Sequence, residues 1–254
     1  MLGRIAARAA AGLSIALFAA FCAPTNAGAQ VQANLGSASI EPFGLRAVPV
    51  VTGEVLTKWS GISAEIHAES EILARCRGGA ELCPAAAQKL LAVIADGETH
   101  QGRARIGVVN RAINLSIRPT SDLAQWGVAD RWSAPLTTLA TGRGDCEDYA
   151  IAKYVALREA GVAKSDVRLV IVRDLALAQD HAIVAARLEG RWLVLDNRRF
   201  ILLEDHEMRR VVPLFVLDQD GVRSYEPVAM AEARRPTTPG GISVPAPAPG
   251  ALGF

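Results

Sequence analysis

Between about Val55 and Ala160 the apolar residues of this chain fall into several segments of helical period, and beyond them into segments of strand period, and that switch restricts the fold it can adopt. From Val55 to about Ala74, the residues Leu56, Trp59, Ile62, Ile66, Ile72 and Leu73 recur at three- and four-residue steps, as on one face of a helix. Pro84 suits the first turn of a second helix that runs to about Asp96, with Leu90, Leu91 and Ile94 apolar and Gly97 as its stop. A third helix, about Arg103 to Ile117, is closed off by Pro119. A fourth runs from Asp145 to about Ala160, with Gly161 at its end. The segments VRLVIVR (167–173), HAIVAARL (181–188), RWLVLDN (191–197) and about Val211 to Leu217 then alternate or run continuously apolar, as strands do. Helices followed by antiparallel strands predict an α+β domain with helices on one face of a sheet.

Between the third and fourth helices lies a stretch rich in turn formers, Ser121 to Asp145, which reads as a long irregular loop. Its two tryptophans, Trp126 and Trp132, argue that it is ordered. They serve either as core packing or as a wall of a substrate groove. Asp218-Gln219-Asp220-Gly221 resembles the start of a calcium-binding EF-hand loop but lacks the rest of that pattern, so a hairpin turn is expected. Residues 30–53 read as an extended N-terminal arm and 54–230 as the folded domain. The Ala/Pro-rich stretch 231–254 is too poor in bulky apolar residues to repay ordering and is expected to be a disordered tail.

The first 29 residues have the layout of an export signal. Arg4 and Arg8 precede an apolar run from about Ala11 to Ala23, and Ala27-Gly28-Ala29 offers small residues for cleavage after Ala29. The run falls short of the roughly 20 residues a membrane span takes. An uncleaved anchor is the alternative. Phe21 before Cys22 argues against lipid modification. The expected product is exported to the periplasm. Its formal charge is near neutral, which gives no reason to expect a nucleic acid as partner.

Beyond the signal, three cysteines remain: Cys76, Cys83 and Cys146. In an oxidising compartment an odd count suggests one pair and one free thiol. Cys76 and Cys83, seven apart in CRGGAELCP, are the natural pair. Zinc ligation by these two is the rival, but no second Cys/His pair stands at zinc spacing. Cys146 is then the free thiol.

Cys146 sits in Gly142-Arg143-Gly144-Asp145-Cys146-Glu147-Asp148-Tyr149, at the head of the fourth helix. Unpaired N–H groups and partial positive charge at a helix N-terminus favour a thiolate and suit an oxyanion. His181 and Asp196 lie on successive strands. If Glu189-Gly190 is a two-residue turn, Leu188 faces Arg191 and Ala185 faces Val194. His181 and Asp196 then become diagonal neighbours, about 7–8 Å apart at the backbone. A one-residue slip would separate them. The candidate catalytic set is therefore Cys146 as nucleophile, His181 as proton acceptor and donor, and Asp196 as the group orienting the ring. Taken singly, each has a plainer reading as a buried thiol, a strand-end histidine or a turn-forming aspartate.

Asp145, Glu147 and Asp148 crowd negative charge around that thiol, which works against ionising it. They either favour the helix dipole or await a cation. Oxygen ligands without a spare His or Cys point to calcium rather than zinc.

VNRAINLSIRP, DRWSAPLTTLATGRGDCEDYAIAKYVALREAGV, VRLVIVRD and DHAIVAARLEGRWLVLDN together resemble the bacterial transglutaminase-like cysteine proteinases, LapG-type periplasmic proteases among them. The resemblance spans roughly Val108 to Asn197. It implies a papain- or transglutaminase-like fold, with Cys146, His181 and Asp196 at the positions of the family's triad. It also implies that Asp145 and Glu147 match positions that ligate calcium (Ca2+) in LapG-type members. Such proteases cut the N-terminal region of large surface adhesins and so release cells from biofilms. An inner-membrane receptor for cyclic di-GMP sequesters them. The Ala/Pro-rich C-terminal stretch is not part of that pattern. Two other functions stay open. The same triad would serve a transglutaminase-type acyl transferase, and a catalytically silent calcium- or peptide-binding module would need none of it.

Overall fold

The computed structural model describes residues 40–79 and 82–226. The expected signal peptide (1–29) and C-terminal tail (231–254) lie outside the described residues. In chain order the elements are β1 (Ala47–Pro49), α1 (Glu54–Arg77), α2 (Ala85–Glu98), α3 (Gly102–Ser116), β2 (Arg118–Pro119), α4 (Asp122–Trp126), α5 (Pro135–Thr141), β3 (Arg143–Gly144), α6 (Cys146–Glu159), β4 (Val167–Asp174), β5 (Gln179–Leu188), β6 (Arg191–Leu195), β7 (Leu203–Glu204), β8 (Val211–Asp218) and β9 (Gly221–Tyr225). Seven strands form one sheet in the order β1-β9-β8-β4-β5-β6-β7, every pair antiparallel. The α+β expectation holds. Among the described residues no helix is long and apolar enough to cross a membrane.

The strands read as near-continuous apolar runs because both faces of the sheet are covered. Leu169, Ile171, Val184, Ala186, Leu193 and Leu195 pack toward the helices. Val170, Val172, Ile183, Ala185 and Val194 pack into a second cluster with Phe43 and Leu45. Residues from the expected arm thus cover the back of the sheet, and β1 pairs with β9. Glu41 accepts a hydrogen bond from Arg168 at 2.7 Å, and Arg223 and Asp218 join the same buried ion-pair network. On the helical side, Trp59 of α1 stands edge-on to Tyr154 of α6 and donates to the Asp218 carbonyl at 2.8 Å, which ties α1 to both layers. Cys76 and Cys83 form a disulfide between α1 and the start of α2.

Two expectations need correction. Gly97 does not stop α2, which continues to Glu98. A Cβ at Gly97 would lie 3.0 Å from both Ala160 Cβ and Val109 Cγ2, so the glycine marks close helix packing. The stretch 121–145 is not one irregular loop. It contains α4, started by a bond from the Ala124 N–H to Ser121 Oγ, and α5, begun by Pro135 and ended by Gly142 at φ 63°. At five and seven residues these helices are too short to display a 3.6-residue period.

Candidate active site

Three local devices bring the chemistry together. The first is the head of α6. Cys146 is its first residue and Asp145 its N-cap position. Before it, Gly144 passes so close to Asp148 that a Cβ there would come 2.6 Å from Oδ2 and 2.7 Å from Cβ of that aspartate. Only glycine lets the chain enter the helix beside this buried carboxylate.

The second is the β5–β6 hairpin. Glu189 (φ 51°) and Gly190 (φ 80°) both adopt the left-handed conformation, as a two-residue turn matched to strand twist requires. Leu188 faces Arg191 and Ala185 faces Val194, the register expected from the sequence. His181 and Asp196 therefore meet. His181 Nε2 lies 2.9 Å from Asp196 Oδ1, and both residues are buried. The Arg198 N–H donates to the same oxygen at 3.0 Å, and Asn114 of α3 donates to the Asp196 carbonyl at 3.0 Å. Burial alone would raise the Asp196 carboxyl. The hydrogen bond and charge of His181, with help from Arg198 and Lys153, outweigh it and hold the group below its usual range. An ionised Asp196 is acceptor only, so the imidazole proton sits on Nε2. Nδ1 is left buried with no hydrogen-bond partner.

The third is a cavity of about 390 Å³ lined by Cys146, His181, Ala182, Trp132, Asp145 and Glu147, among others. Trp132 is thus a groove wall, whereas Trp126 stacks beneath the Arg131 guanidinium at 4.3 Å. The thiol is half-buried and the only free one among the described residues. It donates to Glu147 Oε2 at 3.2 Å, and no hydrogen bond joins it to the imidazole. Burial pushes the Cys146 thiol up, the Glu147 carboxylate adds to this, and the Ala182 N–H opposes it.

The acids around the thiol form a denser group than the sequence suggested. Oxygens of Asp122, Asp145 and Asp148 lie within 4.8 Å of one another, as do those of Asp122, Asp130 and Glu147. Asp145 Oδ1, Asp148 Oδ2 and Asp122 Oδ1 are buried without a hydrogen-bond partner. Burial and then the Glu147 carboxylate push Asp145 up to about 8; burial and then the Asp145 charge push Asp148 to about 7. Glu147 and Asp122 are raised as well, chiefly by burial. Carboxylate oxygens that converge, lack donors and repel one another fit a hard divalent cation. Asp145 and Glu147 were legible as candidates. Asp122 and Asp130 were not, because they belong to the segment that lacked any periodic signal.

Lys153 also escaped the sequence reading. It lies on α6 two turns past Cys146, is 1% exposed, and its Nζ has no hydrogen-bond partner. Nζ sits 5.8 Å from the centre of the Tyr149 ring. Burial lowers its pKa to about 7 against the pull of Asp196.

No curated protein matches the chain. Among solved structures it is similar to Legionella pneumophila LapG, at 20% identity and a TM-score of 0.49, over 67% of this chain and 90% of that one. For the calcium-bound form of that protein the figures are 20%, 0.49, 66% and 87%; for the EGTA-treated form they are 22%, 0.42, 54% and 86%. The sequence model of the bacterial transglutaminase-like cysteine proteinases (BTLCP) matches residues 72–207, a span that holds the head of α6 and the β5–β6 hairpin. This chain belongs to the bacterial transglutaminase-like cysteine proteinases.

Proposed function

We propose that this cysteine proteinase is a calcium-dependent endopeptidase of the periplasm, with Cys146, His181 and Asp196 as its catalytic triad and a large surface adhesin as its substrate. The observation that carries the triad is the ring of His181: Nε2 is engaged by Asp196 at 2.9 Å, Nδ1 is free, and the ring borders the cavity that holds the Cys146 thiol.

In the proposed mechanism the Cys146 sulfur attacks the scissile carbonyl while Nδ1 of His181 takes the thiol proton. Asp196 fixes the ring tautomer and stabilises the imidazolium. The amide of Cys146, in the first turn of α6, faces the developing oxyanion. His181 returns the proton to the leaving nitrogen, and a water activated by the same ring then releases the acyl group from sulfur. Asp145 and Glu147, with Asp122, Asp130 and Asp148 around them, are the residues that would hold calcium. The ion would supply positive charge that neutralises the carboxylates now raising the thiol's pKa. Engaging Glu147 would also withdraw the acceptor that holds the thiol hydrogen.

The signal-like residues 1–29 and the Cys76–Cys83 disulfide support an oxidising, extracytoplasmic location. The adhesin substrate, the role in biofilm release and sequestration by an inner-membrane cyclic di-GMP receptor rest on family resemblance. The test compares the surface and secreted proteins of cells carrying the wild-type chain with those of cells carrying Cys146→Ala. A large surface protein should lose its N-terminal fragment only with the wild type. Cleavage that persists with Cys146→Ala removes the nucleophile from the proposal.

A further inference from the structure

His181 borders two cavities. One is the space of about 390 Å³ that holds Cys146. The other, about 140 Å³, is lined by Arg198, Arg199 and Arg209 together with Asp174, Glu207 and Met208, among others. Their charges differ. The first is lined by Glu54, Asp130, Asp145, Glu147 and Asp180, with Lys58 as its only lysine or arginine. The second has three guanidiniums against two carboxylates.

Those carboxylates are already engaged. Asp174 pairs with Arg198 at 2.9 Å and accepts the N–H groups of Ala176 and Leu177. Glu207 accepts the Glu204 N–H at 2.6 Å. The nearest carboxylate to Arg199 is Asp196, at 3.9 Å, and the Arg199 side chain is half exposed. Arg209 is exposed and has no ion-pair partner among the described residues. The small cavity is thus lined by one more guanidinium than carboxylate beside the ring, and Arg209 is the arginine of the three that no carboxylate holds among the described residues.

The chemistry gives that position a meaning. The imidazole must hand its proton to the leaving nitrogen, so that nitrogen sits against the ring. The residues that follow the scissile bond then continue past the ring, on the side away from the sulfur. We propose that the cavity of Arg198, Arg199 and Arg209 is the subsite for the leaving-group side of the substrate, and that it selects an Asp or Glu within the first three residues after the cut. This rests on the reading of His181 as the proton carrier. Arg198 is held by Asp174 and shapes the wall, while Arg209 is free to meet the incoming carboxylate.

The test is digestion of a randomised peptide library by the calcium-loaded full-length protein, with new N-termini read by mass spectrometry. Acidic residues should be enriched in the first three positions after the cut. Matched peptides with Asp in place of Asn at the preferred position should gain about 5-fold or more in kcat/KM, mostly through KM. Arg209→Glu should reverse that preference toward Lys or Arg while the preference before the cut stays as in the wild type. Cleavage that depends on Cys146 but shows no acidic preference, or a preference unmoved by Arg209→Glu, overturns the subsite and leaves the peptidase standing. Absence of any Cys146-dependent cleavage removes both.

Discussion

His181 Nε2 and Asp196 Oδ1 are 2.9 Å apart inside the protein, although His181 lies on β5 and Asp196 just past the end of β6, 15 positions apart. The bond fixes which ring nitrogen carries the proton, and so which one can accept another. Asp196→Asn keeps the shape of the side chain but lets its amide donate to Nε2, which favours the wrong tautomer. The expected result is a loss of kcat of about 10²- to 10⁴-fold with KM little changed. An unchanged far-UV circular dichroism spectrum would separate this from unfolding. A variant with wild-type kcat would take Asp196 out of the mechanism.

The acid cluster gives metal-free stability a definite pH dependence. Asp145 and Asp148 titrate at about 8 and about 7 in the folded chain, against an ordinary value of 3.8. Between about pH 4 and 8 the native state therefore binds more protons than the unfolded one, and stability falls as pH rises. Calcium should flatten this fall, because it replaces the protons. The rise in Tm on adding calcium to chelated protein should be larger at pH 8 than at pH 5. Parallel melting profiles with and without calcium would argue against an ion at these carboxylates.

Gly144→Ala places a methyl group against Asp148, at 2.6 Å from its Oδ2. The aspartate, whose Oδ1 accepts the Ser133 N–H at 2.8 Å, has to shift. The change should cost about 1–3 kcal/mol of stability and weaken calcium binding at the same time. Calcium titration by calorimetry, read beside a denaturation curve, checks both. A variant that binds calcium like the wild type would place Asp148 outside the ligand set.

Lys153 should oppose the acids at higher pH. Its pKa falls from 10.5 in the open chain to about 7 when folded. Below about pH 7 it is charged in both states and the cost of burying the charge is full. From about 7 to 10.5 the native lysine is neutral while the unfolded one keeps its proton, so this residue makes stability climb with pH. Lys153→Met should be more stable than the wild type near pH 6, with the difference shrinking toward pH 10. Equal stability at pH 6 would mean that the ammonium is not desolvated as described.

Much of this was legible before any coordinates. The change of period near residue 160 set the class of fold, because side chains repeat every 3.6 residues in a helix and every two in a strand. The two-residue turn at Glu189-Gly190 set the register that makes His181 and Asp196 neighbours, because a hairpin's parity is fixed by its loop length. The thiol at the head of α6 and the Cys76–Cys83 pair followed from local spacing. The short helices α4 and α5 escaped because a period needs several turns to show.

The chain's own order of residues determined the layers, the hairpin register and a cysteine at a helix head, since each depends on neighbours a few positions away. Only the tertiary structure decided that Asp122 and Asp130 would meet Asp145, Glu147 and Asp148. It also decided that Gly97 would be a packing contact, that Lys153 would be sealed inside, and that three arginines would gather beside the imidazole. Those meetings are set by how helices and strands pack across long stretches of sequence, and packing leaves no periodic trace in the residues it brings together.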